Sequence, residues 1–145
     1  MPKKGYKNYW SRKTVRSGLE ARIKKDLEER NISFGYETEK LKYEDNICPH
    51  CGKPTKHRTY TPDFIIKRNS GRTLYVESKG RLTSSDRTKM LNVQRCNSNK
   101  DIRFVFQRDQ CIRKGSTTKY SDWAIKHGFK YCVGEKIPQK WIDET

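Results

Sequence analysis

A hairpin-like stretch at residues 60–80, YTPDFIIKRNSGRTLYVESKG, constrains the fold of this chain more than any other segment. Two short apolar runs, DFII and LYVE, flank the turn sequence RNSGR, and this pattern predicts two antiparallel strands. Each run carries an acid, Asp63 at the start of the first and Glu77 at the end of the second, although acids are poor strand formers. If the runs pair, Asp63 comes beside Glu77, and Lys79 lies on the face of Glu77, roughly 7 Å farther along the strand.

The two acids and the lysine indicate metal-dependent hydrolysis of a phosphodiester. Adjacent carboxylates repel each other unless one takes up a proton or a divalent cation binds between them. Mg²⁺ prefers hard oxygen ligands, completes its shell with phosphate oxygens and activates water. Lys79 can orient the attacking water or stabilise the negative transition state. The pattern is P-D…(D/E)-x-K, found as Pro62-Asp63…Glu77-Ser78-Lys79; the alternative is an exposed hairpin with an ordinary Glu–Lys surface pair.

Composition favours a single, strongly basic domain. The chain has 145 residues, with 33 lysines and arginines against 17 acids, so that its net charge is +16. Such an excess points to a polyanionic partner, most often nucleic acid, although a generally basic protein is the alternative. The apolar fraction of 32% is low, which indicates either a small core or a core completed by a second chain.

The sequence also predicts a soluble, cytoplasmic protein with reduced thiols. No apolar run approaches the length of a membrane span, and the first residues lack the apolar region of a secretory signal. The five cysteines are scattered and odd in number, which argues against a disulfide framework.

Residues 1–15 are predicted to form a basic N-terminal arm ahead of a single domain at residues 16–145. The segment through residue 16 contains no acid and interleaves aromatic residues with six basic ones: Lys3, Lys4, Lys7, Arg12, Lys13 and Arg16. It is either a disordered basic tail or an arm that lies on phosphates, and both hold if the arm orders on binding. Basic side chains beside stackable aromatics favour DNA binding.

The rest of the chain has helical and strand-like periodicities in a mixed α/β order. Leucines and an isoleucine recur every four residues in SGLEARIKKDLEERN, which predicts a helix with Ser17 and Glu20 at capping-box spacing. Strands are predicted at ISFGYET, DIRFVFQ and FKYCV, and further helices at SSDRTKMLNVQRCN, YSDWAIKHG and IPQKWIDE. Glu20 is either a cap partner or a third carboxylate that the helix presents to the sheet.

Residues 44–59 show little periodicity and are interpreted as an insert in the bridge between two strands. They contain CPHCGKPTKH, in which Cys48 and Cys51 form a C-x2-C knuckle with His57 close by. Structural Zn²⁺ takes four nitrogen or sulfur ligands, so these three would leave one to another cysteine or to a second subunit. A single C-x2-C is a moderate signal, and a loop with two free thiols is the alternative. A zinc here would be structural, because thiolates do not suit Mg²⁺ chemistry.

Several segments come in a familiar order: RSGLE, YTPDF, VESKG, SSDRTKM, DIRFVF, KGSTTKY, KHG and IPQKWI. With these segments in this order, the chain apart from the insert resembles the phage endonuclease I family, the Holliday-junction resolvases of short-tailed phages. The resemblance implies a restriction-endonuclease-like α/β core in a domain-swapped homodimer. It also implies Mg²⁺- or Mn²⁺-dependent cutting of branched DNA.

The same resemblance assigns the site residues. The catalytic and metal-binding acids of the family fall on Glu20, Asp63 and Glu77, and its lysine falls on Lys79. Ser17, with Arg16 before it, matches the lead into the first helix and would touch phosphate. The insert departs from the family, in which a shorter bridge is expected.

Two rival functions remain open from the sequence. A non-catalytic zinc-knuckle protein that binds nucleic acid would explain the charge and the cysteines but would leave Asp63, Glu77 and Lys79 without a role. A restriction-type nuclease acting on linear duplex would use the same site, and only the family resemblance separates it from a junction-cutting enzyme.

Overall fold

The computed structural model describes residues 17–47 and 50–144. The predicted arm, Arg16 and Cys48 lie outside these ranges. Within them the chain forms, in order, α1 (Gly18–Glu29), β1 (Gly35–Tyr36), β2 (Leu41–Ile47), β3 (Pro54–Tyr60), β4 (Phe64–Lys67), β5 (Thr73–Lys79), α2 (Ser84–Cys96), β6 (Asp101–Phe106), α3 (Tyr120–Lys126), β7 (Lys130–Val133) and α4 (Gln139–Asp143). None of the helices in these ranges has both the length and the apolar character needed to cross a bilayer.

Five strands form one mixed sheet in the order β1–β4–β5–β6–β7. The pairs β1–β4 and β4–β5 are antiparallel, whereas β5–β6 and β6–β7 are parallel. The central strand β5 is therefore hydrogen-bonded on both sides. Helices pack on both faces of the sheet, so the predicted mixed α/β class is confirmed.

Alternate residues of the strands face two separate cores. Leu74 and Val76 of β5 face the core that contains α1 and α4, whereas Tyr75 faces the core that contains α2 and α3. The apolar stripe predicted for α1 is buried in the first core: Leu19, Ile23 and Leu27. Because side chains alternate along a strand, one strand can deliver polar groups to both layers at once.

The predicted β4–β5 hairpin is confirmed, and its register places the two acids together. Phe64 is opposite Val76, so Asp63, one residue before β4, comes opposite Glu77. Gly71 in the turn has a φ of 86°, a left-handed conformation that glycine adopts at little cost.

The strand predicted at ISFGYET is shorter than expected. Only Gly35–Tyr36 pairs with the sheet, and Glu37 directly after it has a φ of 52°. A residue in this left-handed conformation cannot continue a β-strand, so the chain turns away from the sheet at Glu37.

The segment interpreted as an insert with little periodicity contains two strands that the sequence did not predict, and they form a β-ribbon. β2 and β3 pair antiparallel outside the main sheet, with Leu41 opposite Tyr60 and both side chains buried against the α2 core. Arg95 of α2 donates from Nη2 to the carbonyl oxygen of Glu44 at 2.9 Å. The β2–β3 ribbon is thus docked on α2 by apolar and polar contacts.

A buried ionic network fastens the C-terminal helix to the sheet. Asp101 at the start of β6 binds Arg103 through both carboxylate oxygens, at 2.8 and 2.9 Å, and Arg68 at 2.8 Å. The side chains of Arg68 and Arg103 are only 4% and 2% exposed. Arg68 also donates to the carbonyl oxygen of Trp141, and Arg103 binds Glu144, both near the end of the chain.

Replacing Asp101 with alanine is expected to lower the free energy of unfolding by about 2–3 kcal/mol, because two buried guanidiniums each lose a partner. Denaturant unfolding followed by circular dichroism measures this. The matched control is Glu29→Ala, which breaks an exposed pair with Lys25 and is expected to cost under about 1 kcal/mol. Equal losses in the two variants would show that the network does not fasten α4.

Candidate active site

Three carboxylates from different elements converge beside the start of β4. Glu20 lies in the first turn of α1, Glu37 follows β1, and Asp63 precedes β4; one oxygen from each lies within 4.8 Å of the others. The backbone N–H of Glu37 donates to the carbonyl oxygen of Asp63 at 3.1 Å, which holds these two segments together. We call Glu20, Glu37 and Asp63 the carboxylate cluster.

Helix α1 presents the carboxylate of Glu20 to the cluster, while the backbone N–H of Glu20 takes part in the N-terminal cap of the helix. Ser17 Oγ accepts a hydrogen bond from the backbone N–H of Glu20 at 3.1 Å, so the predicted Ser17 cap is confirmed. The carboxylate of Glu20 instead accepts the hydroxyl proton of Tyr36 and is buried. The two interpretations of Glu20 are therefore compatible, since they use different atoms.

Asp63 is held by the strand opposite. Its Oδ2 accepts hydrogen bonds from the backbone N–H and the hydroxyl of Ser78, both at 2.9 Å, and the residue is 3% exposed. Burial, together with the charges of Glu77 and Glu20, raises the pKa of Asp63 to about 8, although the two bonds from Ser78 oppose this. A cation in the cluster would favour the ionised form of Asp63.

Glu77 and Lys79 form a pair next to the carboxylate cluster. Glu77 Oε1 lies 3.1 Å from Lys79 Nζ, and Glu77 Oε2 accepts the hydroxyl proton of Tyr60 at 2.5 Å. Burial raises the pKa of Glu77, while Lys79 and Tyr60 lower it in part. Glu77 is not a member of the cluster, but its charge is close enough to raise the pKa of Asp63.

Lys79 is held as a cation. Its Nζ lies 3.1 Å from Glu77 and 3.4 Å from Asp86 in the first turn of α2. Burial lowers the pKa of Lys79, but the two carboxylates raise it more, so the pKa is above its usual value. The charge suits Lys79 to stabilising negative charge and makes it a poor proton acceptor.

The fold therefore brings the four predicted catalytic residues into two neighbouring groups. Glu20 and Asp63 lie in the carboxylate cluster, and Glu77 with Lys79 forms the adjoining pair. Sequence reasoning missed Glu37, because no spacing rule connects it to the other acids. The sequence shows Glu37 only as an acid at the end of a strand-like run. The left-handed backbone that turns Glu37 toward Asp63 cannot be predicted from that run.

Of the three predicted zinc ligands, Cys51 and His57 lie within the described ranges, so the zinc site stays a prediction. Cys51 is exposed, and His57 on β3 has its Nδ1 3.8 Å from Glu44 Oε1 of the paired strand β2. Among residues 17–47 and 50–144, the carboxylate cluster is the group of three potential ligands that the fold assembles. Cys48 falls outside these ranges.

The carboxylate cluster fits a hard divalent cation. Its donors are all carboxylate oxygens, the type that Mg²⁺ and Mn²⁺ prefer, and it contains no thiolate or imidazole of the kind that favours zinc.

Comparison with known proteins identifies the family. The family described as phage endonuclease I matches residues 1–145. This chain belongs to the phage endonuclease I family. One member, Endonuclease I of Escherichia phage T7, is 38% identical over 130 residues, which cover 89% of this chain and 78% of that protein. Another, Endodeoxyribonuclease 1 of Enterobacteria phage T3, is 33% identical over 137 residues, covering 90% of this chain and 82% of that protein.

Family membership confirms the resemblance found from the sequence. In this phage endonuclease I member, the segments that carry the resemblance supply most of the site: RSGLE contains Glu20, YTPDF contains Asp63, and VESKG contains both Glu77 and Lys79.

Proposed function

We propose that this chain is a structure-selective DNA endonuclease that cleaves four-way and other branched DNA junctions by metal-dependent phosphodiester hydrolysis. The observation that carries the proposal is the carboxylate cluster, which lies next to the Glu77–Lys79 pair at one end of the β4–β5 hairpin. Family membership, two relatives named as endonucleases and the net charge of +16 support the same function.

Glu20, Glu37 and Asp63 would hold Mg²⁺ or Mn²⁺, with Glu77 as a further acid at the edge of the site. A bound divalent cation supplies Lewis acidity that activates water and neutralises charge on the phosphate. Ser78 fixes the Asp63 carboxylate through two hydrogen bonds, and Tyr60 fixes that of Glu77 through one. These bonds preorganise the acids before DNA arrives.

Lys79 acts on the phosphate through its charge. The ammonium is held beside the acids by Glu77 and Asp86, so it is placed where negative charge develops as the phosphodiester is attacked. Its raised pKa keeps it protonated, which assigns it to charge stabilisation.

The substrate and assembly follow from the task of resolving a junction. Two strands of like polarity must be cut, and a twofold homodimer, of the domain-swapped kind that the family resemblance implies, provides two sites related by symmetry. Ser17, exposed at the start of α1, and the basic arm ending at Arg16 would contact phosphates, and such contacts recognise shape with little reading of bases. Binding is accordingly expected to weaken steeply with salt.

A structural zinc at the tip of the β2–β3 ribbon is proposed on the C-x2-C spacing of Cys48 and Cys51. The exposure of Cys51 supports it, because the thiol is accessible to an ion. His57 on β3, whose exposed side chain lies 3.8 Å from Glu44, would be the third ligand, and another cysteine or a second subunit would supply the fourth.

The test is to incubate the protein with a four-way DNA junction or a matched linear duplex, in Mg²⁺ or in EDTA. We expect cleavage of the junction that requires Mg²⁺, with little cutting of the duplex. Binding of the junction with no cleavage in Mg²⁺ would make the protein a non-catalytic binder. Site-specific cutting of the duplex at a rate equal to that of the junction would make it a restriction-type nuclease.

A further inference from the structure

An open groove of about 1200 Å³ lies between the β2–β3 ribbon and α2. The ribbon contributes Lys42, Glu44, His57 and Arg58 to its walls, and α2 contributes Lys89 and Arg95. Leu41, Tyr43 and Tyr60 of the ribbon are buried and fix the ribbon on α2. The groove is therefore built by the docking of two ordered elements.

The walls of this groove are strongly positive. Four basic side chains and the single carboxylate of Glu44 line the groove, and that carboxylate is already close to His57. Of the four, Arg58 is paired with Asp45 at 3.0 Å. No carboxylate in the described parts of the chain lies within ion-pair distance of the ammonium of Lys42 or of Lys89. The ammonium groups of Lys42 and Lys89 are thus available to an anionic ligand, and four basic groups along one groove suit a chain of phosphates better than one phosphate group.

One cation of the groove is linked to the catalytic pair through Tyr60. Lys89 Nζ lies 5.2 Å from the centroid of the Tyr60 ring, and Tyr60 donates its hydroxyl proton to Glu77. A second depression, lined by Ser84, Ser85 and Thr88 among others, shares Lys89 with the groove and follows α2 toward its first turn. That turn holds Asp86, the partner of Lys79. The 13 residues of α2 span roughly 20 Å, or about six nucleotide steps at ~3.4 Å each.

We propose that this groove holds the phosphate backbone of the DNA strand that leads to the scissile bond, with Lys42, Arg58, Lys89 and Arg95 as its phosphate contacts. The assignment rests on the proposed endonuclease function and adds a substrate-binding surface to it. The β2–β3 ribbon thereby gains a role in binding, separate from any zinc at its tip.

The test compares two double variants that each remove two positive charges. Lys42→Ala/Lys89→Ala alters the groove, whereas Lys25→Ala/Lys140→Ala alters α1 and α4 on the opposite face of the sheet. Fluorescence anisotropy with a labelled four-way junction in EDTA gives Kd without cleavage, across about 50–200 mM KCl. The groove variant should bind more weakly, and its slope of log Kd against log salt should be smaller than that of the wild type by about 1.8, since each lost phosphate contact contributes about 0.9.

The control variant should keep the wild-type slope. A groove variant with the wild-type slope, or equal losses in both variants, would overturn the groove assignment while leaving cleavage by the wild type as evidence for the proposed function. Failure of the wild type to bind the junction would overturn both. If loss of the Lys89–Tyr60 contact impairs folding, Lys42→Ala alone should still lower the slope by about 0.9, and an unchanged slope in that variant would reject the groove.

Discussion

Asp63→Asn is expected to lower the rate of junction cleavage by about 10³-fold or more while binding of the junction stays equal or becomes tighter. The amide loses the anionic oxygen that the carboxylate cluster offers to a divalent cation, and metal assistance is worth several kcal/mol. In EDTA below about pH 8 the metal-free Asp63 still carries its proton, so the neutral amide leaves the charge near the phosphate nearly unchanged. Cleavage under single-turnover conditions in Mg²⁺, with anisotropy in EDTA, separates the two effects.

The matched control is Asp143→Asn, an exposed aspartate on the C-terminal helix, which should cleave at the wild-type rate. A cleavage rate for Asp63→Asn within tenfold of wild type would remove Asp63 from the site. The chemistry would then rest on Glu20, Glu37 and the Glu77–Lys79 pair.

The metal-free protein is expected to lose stability as the pH rises from about 5 to 8, by roughly 2–4 kcal/mol, and Asp63→Asn should remove most of that loss. The pKa of Asp63 is raised to about 8 in the fold from an ordinary 3.8. Between these values the unfolded chain has released the proton and the folded chain has kept it, so rising pH favours unfolding. Thermal melts in EDTA at several pH values measure this, with a shift on the order of 10 °C.

Other groups do not reverse the sign in this window. The pKa of Glu77 is also raised, so a smaller loss of the same sign should persist in Asp63→Asn. Asp86, Asp101 and Glu144 have lowered pKa values, so the stability they contribute is lost only in more acidic solution. Added Mg²⁺ should restore wild-type stability at pH 8 and should have little effect on Asp63→Asn. A flat stability profile in EDTA would contradict the raised pKa.

The asparagine variant suits this test because it preserves the local bonds. Its amide oxygen can accept from the N–H and hydroxyl of Ser78, as Oδ2 does in the native protein. Its amide protons can donate toward Glu20 and Glu37, in place of the proton that the protonated Asp63 carboxyl would donate.

Sequence reasoning recovered the part of the site that depends on local rules. The alternation of DFII and LYVE with a turn between them fixes the hairpin, and the hairpin places Asp63 opposite Glu77. The apolar spacing of α1 places Glu20 in the first turn of a helix whose apolar stripe is buried on the sheet. Both results need only periods of two or about four residues.

The missed parts depend on tertiary contacts. Glu37 enters the cluster because its backbone is left-handed, and no residue pattern around Glu37 predicts that conformation. The β2–β3 ribbon has few inward apolar residues, so its period is weak. The two strands are stabilised by each other and by α2, which begins 24 residues after the end of β3. No local pattern reports a partner at that distance.

Strand β5 has a consequence for how firmly the catalytic groups are aligned. Glu77 and Lys79 project to one layer, while Ser78 between them donates two hydrogen bonds to Asp63. Three consecutive residues therefore fix the positions of the catalytic groups. A slip of one position would exchange the layers that these side chains face. Since β5 is flanked by ladders to β4 and β6, such a slip would require breaking both, and the alignment can fail only together with the sheet itself.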